Sequence, residues 1–260
     1  MSLANKLEII YTNLDSALED INSAIIAKGL SEAVNIGAVG NKIRAIEQGG
    51  SDKLAMDVID KSVKTITLYD ISSIGDYAFY KCNRLESVTI PDSVTSIGAS
   101  AFNLCESLKN ITIPDGVTYI GIGAFQYCES LTNITIPNGV TSINDDTFSD
   151  CYSLTNITIP DSVTSIGSHA FHKCLKLTSV TIPDSVTFIG GSAFHLCGNY
   201  GGNGTFDIYL KSQSPPLLEY ANAISTYSTI HVPIGSGDAY KSATNWSKYA
   251  DKIVEDIVVE

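Results

Sequence analysis

The sequence predicts an α/β solenoid of 23-residue repeats, each a strand plus a short helix, with an N-terminal helical segment and a C-terminal α/β cap. The prediction rests on one phenylalanine and one cysteine per repeat. The phenylalanines keep an unbroken 23-residue interval: Phe79, Phe102, Phe125, Phe148, Phe171 and Phe194. The cysteines keep the same interval: Cys82, Cys105, Cys128, Cys151, Cys174 and Cys197. Strict repetition at a period in the twenties is typical of solenoids, in which each coil covers the next.

Each repeat begins with a short strand. In the copy that starts at Ser87, the apolar residues Val88 and Ile90 alternate with Ser87 and Thr89. Alternation with a period of two indicates a strand with one buried and one exposed face. Pro91 follows and has no N–H to donate, so we expect the ladder of hydrogen bonds to stop there.

The second half of each repeat has the spacing of a helix. Ala101, Phe102, Cys105 and Leu108 follow the pattern of one buried helix face. We therefore expect one or two helical turns opposite the strand, with the cysteine as a small apolar filler. Helices are about 10 Å wide, and a disulfide needs Cα atoms within about 7 Å. The cysteines are therefore expected to be buried thiols that form no disulfide.

Three segments are expected along the chain. Residues 1–50 form the N-terminal helical segment, residues 63–210 the solenoid, and residues 211–260 a C-terminal capping unit. In the capping unit Pro233 stops one more strand, and a helix follows over residues 238–253. Such a unit would cover the strand edges and the core at the open end of the solenoid.

The N-terminal segment has two interpretations. Leu7, Leu14 and Ile21 form a heptad seam within residues 1–28, and a second, shorter helix is expected over residues 41–47. The helices either pack as a hairpin, on themselves or on the solenoid, or form a coiled-coil stalk. The stalk would make the protein a homo-oligomer.

Composition excludes several classes of function. Acidic residues outnumber basic ones by 28 to 16, for a formal net charge of −12. Nucleic acids and anionic membranes need clustered Lys and Arg, so neither is expected as a partner. No apolar run reaches the roughly 18 residues of a membrane-spanning helix. The start of the chain also lacks the pattern of a signal peptide. Motifs for phosphate, dinucleotide, zinc or nucleophilic chemistry are missing as well, so we expect no enzyme, cofactor or metal.

Two polar rows are the candidate binding residues. Strands stack about 4.8 Å apart, so equivalent outward residues of successive coils form rows. The first row is Thr89, Thr112, Thr135, Thr158 and Thr181; the second contains Asn110, Asn133 and Asn156. A partner could bind this flat polar face, although threonine is also simply a good strand residue that faces water.

Other positions depart from the repeat. Tyr119 and Phe188 replace a serine, and exposed aromatics there would suit sugar stacking or protein contact unless the neighbouring coil partly buries them. Two clusters have metal-ligand chemistry but are more simply solvated surface groups. They consist of His169, His172 and His195, and of Asp145, Asp146 and Asp150.

One motif recurs across residues 65–210. It is clearest as Leu85-x-x-Val88-x-Ile90-Pro91-x-Ser93-Val94-Thr95-x-Ile97-Gly98-x-x-Ala101-Phe102-x-x-Cys105. This motif closely resembles the BspA-type leucine-rich repeat of bacterial surface proteins. The resemblance implies a leucine-rich-repeat solenoid at the cell surface or outside the cell, with adhesion to a host or bacterial surface protein or glycan as its role. Residues 21–46 are similar, more weakly, to N-terminal pieces of phage-tail-like proteins.

Two functions follow as hypotheses. The first is a non-enzymatic binding or adhesion module that presents the polar sheet face to a protein or glycan. The second is a structural subunit of a phage-tail-like or surface assembly, oligomerised through its N-terminal helices.

Overall fold

The described part of the chain from residue 64 onwards is a solenoid of stacked coils, most of which contribute two short parallel strands. The computed structural model describes residues 42–44, 64–69, 71–198 and 205–258. The first strand of each coil belongs to the series β1 Lys42–Arg44, β2 Thr65–Tyr69, β4 Ser87–Thr89, β6 Asn110–Ile111, β8 Asn133–Thr135, β10 Asn156–Thr158, β12 Ser179–Ile182, β14 Phe206–Leu210, β16 Ser228–Pro233 and β17 Ile253–Ile257. The second series is β3 Ser73–Ile74, β5 Ser96–Ile97, β7 Tyr119–Ile120, β9 Ser142–Ile143, β11 Ser165–Ile166, β13 Phe188–Ile189 and β15 Leu217–Leu218.

The strands form parallel sheets along the solenoid. The first series gives the orders β1-β2-β4-β6-β8-β10 and β12-β14-β16-β17, and we call its outward side the front face. The second series gives β3-β5-β7 and β9-β11-β13-β15, and we call these the side strands. Equivalent residues lie opposite one another, as Asn133 does to Asn156 and Thr135 does to Thr158. The predicted register between coils is therefore correct.

A stack of phenylalanine rings runs through the core. Neighbouring rings from Phe79 to Phe194 have centroids 5.0–5.6 Å apart and planes within 12° of parallel. From Phe102 to Phe194 these side chains are fully buried. The ring of one coil thus covers the ring of the next, which is how a solenoid extends its core without widening it.

The helix predicted for each coil is wrong: among the described coils this side consists of turns. Ser100 and Leu104 have left-handed backbone conformations, with φ of 52° and 63°. A right-handed helix cannot continue through such residues. The N–H groups of Ser100, Phe102 and Leu104 donate to carbonyls of the next coil at 2.7–2.9 Å, while Ala101 and Asn103 donate within their own coil. The backbone of this side therefore links the coils, as the strands do.

The cysteines support these turns. All six side chains are buried. In five of the coils the thiol donates to the phenylalanine carbonyl of the preceding coil at 3.0–3.3 Å, for example from Cys128 Sγ to Phe102 O. A residue of this size fills the core and also carries a weak donor. That combination explains the choice of cysteine better than apolar filling alone.

We expect the six thiols to react with a maleimide only after denaturation. Burial raises the pKa of the Cys128 and Cys151 thiols, so the reactive thiolate is suppressed in addition to being shielded. Mass spectrometry after labelling, with and without guanidinium, measures the number of modified residues. Rapid labelling of the native protein would show that the cysteines are not in the core.

One coil breaks the side strands. In four coils a glycine N–H, such as that of Gly121, donates to an isoleucine carbonyl of the preceding coil, and in the coil of Leu217 the Glu219 N–H makes the same bond. Asn144 occupies this position in the fourth coil, and its side-chain Nδ2 donates to Ile120 O at 2.6 Å instead. Strands β7 and β9 belong to separate sheets at this point. In this coil a side-chain hydrogen bond from Asn144 therefore takes the place of the backbone one.

Gly116→Ser is expected to stabilise the protein by about 1 kcal/mol. Serines at the same position of other coils, Ser93, Ser162 and Ser185, donate to the preceding coil at 2.6–2.7 Å. A Cβ at Gly116 would lie 3.6 Å from Val94 O, the corresponding acceptor. Urea unfolding measures the gain, with Gly116→Ala as the control for backbone entropy. Equal stability of the two variants would contradict the added hydrogen bond.

The C-terminal unit differs from its prediction in part. The helix expected over residues 238–253 is instead a short helix α1, Gly237–Ser242, a 3-10 helix, Ser247–Lys252, and the strand β17. Its buried anchors are those expected from the sequence, Tyr240, Trp246 and Tyr249. Their polar atoms all find carbonyl acceptors, as when Trp246 Nε1 donates to Pro216 O at 2.7 Å. Because three large rings need buried partners at specific points, the chain bends between them rather than continuing as one helix.

The predicted N-terminal helical segment over residues 1–50 lies outside the described residues, apart from β1. At residues 42–44 the chain is a strand, so the shorter helix expected over residues 41–47 is wrong at that point. The heptad seam of residues 1–28 falls entirely outside the described part of the chain.

Candidate binding face

The two polar rows lie side by side on the front face. The threonines at positions 89, 112, 135, 158 and 181 are all exposed, and so are Asn110, Asn133 and Asn156. Two of the asparagines bond to each other along the row, with Asn156 Nδ2 donating to Asn133 Oδ1 at 3.3 Å. The structure therefore brings the candidate polar residues together as the sequence predicts.

A shallow depression interrupts the front face between β6 and β8. The two strands pair only at Asn110 and Asn133, because β6 ends at Ile111. The depression has a volume of about 240 Å³ and is lined by Asn110, Ile111, Thr112, Ile113, Asn133, Ile134 and Thr135. It contains residues of both rows, so a partner that crosses the rows would meet a recess here.

The two candidate aromatics are not brought together. Tyr119 lies on β7 and is 50% exposed, whereas Phe188 lies on β13, three coils further on, and is half-buried. Both belong to the side strands rather than to the front face. Phe188 lies opposite Leu217, which is 57% exposed. Sequence reasoning missed Leu217 because the coil that carries it departs from the 23-residue repeat.

The threonine row continues into two aromatic residues. Thr181 lies opposite Tyr209 on β14, and Tyr209 lies opposite His231 on β16. The two rings stack with centroids 4.3 Å apart and planes 14° from parallel. Sequence reasoning missed these residues because the segment after Cys197 breaks the 23-residue interval. The alternation around Asp207-Ile208-Tyr209 is the remaining signal that could have revealed them.

Two carboxylates flank the histidine of this stack. Asp256 Oδ2 lies 2.8 Å from His231 Nδ1, and Asp207 Oδ1 lies 3.8 Å from Nε2. The three residues belong to β17, β16 and β14, so the contacts cross three neighbouring strands. His231 is largely shielded, with a side chain 14% exposed, and its ring orientation is therefore well defined.

The other histidines lie on the turn side of the coils. The rings of His169 and His172 are 5.4 Å apart, and those of His172 and His195 are 5.6 Å apart. Within the described residues, no group of three or more His, Cys, Asp or Glu side chains is arranged to hold a metal ion. The cluster offers stacked rings rather than a coordination site.

Acidification is expected to destabilise the protein through His172 and His195. Burial, the largest cause, lowers the pKa of both side chains below the ordinary value. Asp150 opposes this shift at His172, whereas nearby basic groups add to it at both histidines. Below pH about 6.5 the unfolded chain takes up protons at these positions that the folded chain does not, so stability falls from neutral pH towards the folded pKa values. Thermal unfolding at pH 7.5 and pH 5.5 measures the effect.

Replacing both histidines with glutamine provides the control for this pH dependence. Gln126 already occupies the same position in another coil, where it accepts a hydrogen bond from Asn103 at 2.9 Å. The double variant should lose less stability between pH 7.5 and pH 5.5 than the original protein. The same loss in both proteins would assign the effect to other groups.

The carboxylates of the candidate acidic cluster interact with groups of the solenoid itself. Asp145 Oδ1 accepts the Ser168 N–H at 2.8 Å. Burial is the main cause that raises the pKa of Asp146. Asp150 is buried, accepts a hydrogen bond from Tyr152 OH at 3.1 Å and pairs with Lys173 at 3.4 Å. These carboxylates therefore bond to their own and neighbouring coils instead of converging on one point.

Comparison with known proteins identifies the solenoid. A family model of the BspA type leucine-rich repeat region matches six copies over residues 72–200. The crystal structure of a leucine-rich repeat protein from T. pallidum is similar, with 32% sequence identity over 64% of this chain and 73% of that chain, and a TM-score of 0.52. The chain belongs to the BspA-type leucine-rich repeat family. The family model describes a repeat region rather than a catalytic domain.

A second solved structure has a similar fold. The pneumococcal vaccine antigen PcpA has 18% identity and a TM-score of 0.50, over 76% of this chain and 60% of that one. A leucine rich cell surface protein from Faecalibacterium prausnitzii has 21% identity and a TM-score of 0.47, over 84% of this chain and 91% of that one. No curated protein matches the chain. None of the helices in the described part of the chain has the length and apolarity needed to span a bilayer.

Proposed function

We propose that this BspA-type protein is a non-enzymatic binding or adhesion module that presents its front face to a protein or glycan partner. The observation that supports the proposal is the display of exposed polar rows on parallel sheets, whose strands and turns link successive coils. Threonine and asparagine have short side chains, and Asn156 already bonds to Asn133. Ordering them on binding therefore costs little conformational entropy. Family membership supports a location at the cell surface or outside the cell.

The front face is tested by adding bulk and charge to its centre. A variant with Thr112, Thr135 and Thr158 all changed to Arg should lose at least tenfold in affinity for any matrix protein or glycan that the original protein binds in an array. Three long side chains there would block close contact along the row. The matched control changes the exposed threonines at 118, 141 and 164 to Arg, because these lie on the other side of the proline turn. Equal loss in both variants, or in neither, would argue against the front face.

Tyr119 and Phe188 are proposed as secondary contacts beside the front face. Tyr119 is largely exposed, and Phe188 forms an apolar pair with Leu217 across β13 and β15. Changing both to Ser, the residue of the regular coils, should weaken binding without affecting folding. Unchanged affinity would remove the side strands from the interface.

The alternative proposal is a structural subunit of a phage-tail-like or surface assembly, oligomerised through residues 1–28. The heptad seam at Leu7, Leu14 and Ile21 favours it. Light scattering on the full chain and on a chain that starts at Ser51 separates the two proposals. A full-length oligomer that becomes a monomer on truncation would support the stalk, whereas monomers in both cases would count against it.

A further inference from the structure

We infer that the ring face of Tyr209 that points towards Thr181 is a binding subsite for a neutral sugar residue. The inference rests on the proposed function, because it assigns a ligand class to one end of the front face. It extends the candidate site to residues beyond the regular repeats.

Along the threonine row of the front face, the side chains become abruptly larger after Thr181. Thr181 is small and exposed, and the next residue of the row, Tyr209, carries a ring. The opposite side of that ring is covered by His231, whose centroid lies 4.3 Å away. Tyr209 is partly exposed, and the short side chain of Thr181 cannot reach across the whole of the other ring face. The outer part of that face is therefore open to a ligand that lies on the threonine row.

The orientation of the Tyr209 ring is fixed before any ligand binds. Asp256 holds His231 Nδ1 at 2.8 Å, and the histidine in turn supports Tyr209 by stacking. A rigid aromatic surface loses little freedom on binding, which favours affinity. The two stacked rings are therefore preorganised for binding and do not need to be ordered by the ligand.

Hydrogen-bonding groups lie near the Tyr209 ring. Asp207 lies opposite Ser179 in the neighbouring row, and its side chain is 37% exposed. Its Oδ1 is 3.8 Å from His231 Nε2, beyond hydrogen-bond distance, so the carboxylate has acceptor capacity to spare. The exposed hydroxyls of Ser179 and Thr181 can donate or accept.

The chemistry of these groups fits a sugar better than an apolar peptide. A pyranose ring has a face of C–H bonds, which packs on an aromatic plane, and a rim of hydroxyl groups, which need acceptors such as a carboxylate. Asp207 and Asp256 flank the stack, and the chain carries a net charge of −12. Sialylated and sulfated glycans would be repelled, so the subsite favours a neutral residue.

The test uses the full chain on an array of neutral, sialylated and sulfated glycans, followed by calorimetric titration with the strongest neutral hit. Tyr209→Thr, which extends the threonine row, and Thr181→Tyr, which covers the free ring face, should each weaken binding about tenfold. The matched control Thr141→Tyr makes the same change at an exposed threonine on the other side of the proline turn and should bind normally. Thermal unfolding checks that each variant is folded.

Three results would overturn the inference: no neutral glycan bound by the original protein, preference for anionic glycans, or equal affinity in all three variants. Its failure can be distinguished from failure of the proposed function. Binding to a matrix protein that is abolished by the front-face arginines but unchanged in Tyr209→Thr would leave the binding face in place without a sugar subsite.

Discussion

Phe125→Ala is expected to lower the free energy of unfolding by about 3–5 kcal/mol. Phe125 is fully buried and lies between Phe102 and Phe148, with centroids 5.3 and 5.6 Å away. Truncation removes the burial of the ring and leaves a cavity that the two neighbours cannot fill, because each is held by its own coil. Chemical unfolding followed by circular dichroism measures the loss.

The matched control is Phe79→Ala, the same change at the first ring of the stack. Phe79 stacks on Phe102 and lies at the start of the regular coils, so its coil can rearrange more easily. We expect a clearly smaller loss than for Phe125. A loss below about 1 kcal/mol for Phe125→Ala would mean that the rings do not form the continuous core described here.

Gly121→Ala is expected to cost about 3 kcal/mol, the upper end of the range for overpacking. A Cβ at this position would lie 2.4 Å from Ala99 N and 2.6 Å from Gly98 C, both backbone atoms of the preceding coil. Backbone can move away only by breaking the Gly121 N–H bond to Ile97 O. The coil with Asn144 shows this outcome, because its side strands are not paired with those of the coil before.

Gly116→Ala serves as the control for this second prediction. Gly116 is exposed, and a Cβ there would approach no atom closer than 3.3 Å. Urea unfolding of both variants should show a large loss for Gly121 and little change for Gly116. Similar stability of the two would indicate that the coils are spaced more widely than the structure has them.

The features of the fold that could be predicted from the sequence are those that recur in every regular repeat. The interval between phenylalanines determines the register, and the alternation around Val88 determines which strand face is buried. The turn side was mispredicted for a physical reason. Residues such as Ala101, Phe102 and Cys105 point inward at similar spacing in a helix and in successive turns. The left-handed conformation of Ser100, which distinguishes the two, is signalled by a glycine in only one of the described regular coils, at Gly123.

The candidate site was predictable only within the regular coils. The threonine row follows from periodicity as far as Thr181. Beyond that point the chain inserts extra residues, so Tyr209 and His231 take the next places in the row without keeping the interval. Their contacts with Asp207 and Asp256 depend on the pairing of strands far apart in sequence, which composition and spacing alone do not reveal.

The register of the outward rows is tested most directly by paired spin labels. Cysteines introduced at Thr135 and Thr158, which lie opposite each other on β8 and β10, would carry labels on neighbouring strands about 4.8 Å apart. Buried native thiols should remain unlabelled. We predict strong spin–spin broadening for this pair and little for Thr89 with Thr181, about 19 Å apart over four strand intervals. A spectrum for the adjacent pair equal to the sum of its single labels would contradict the stacked, in-register face.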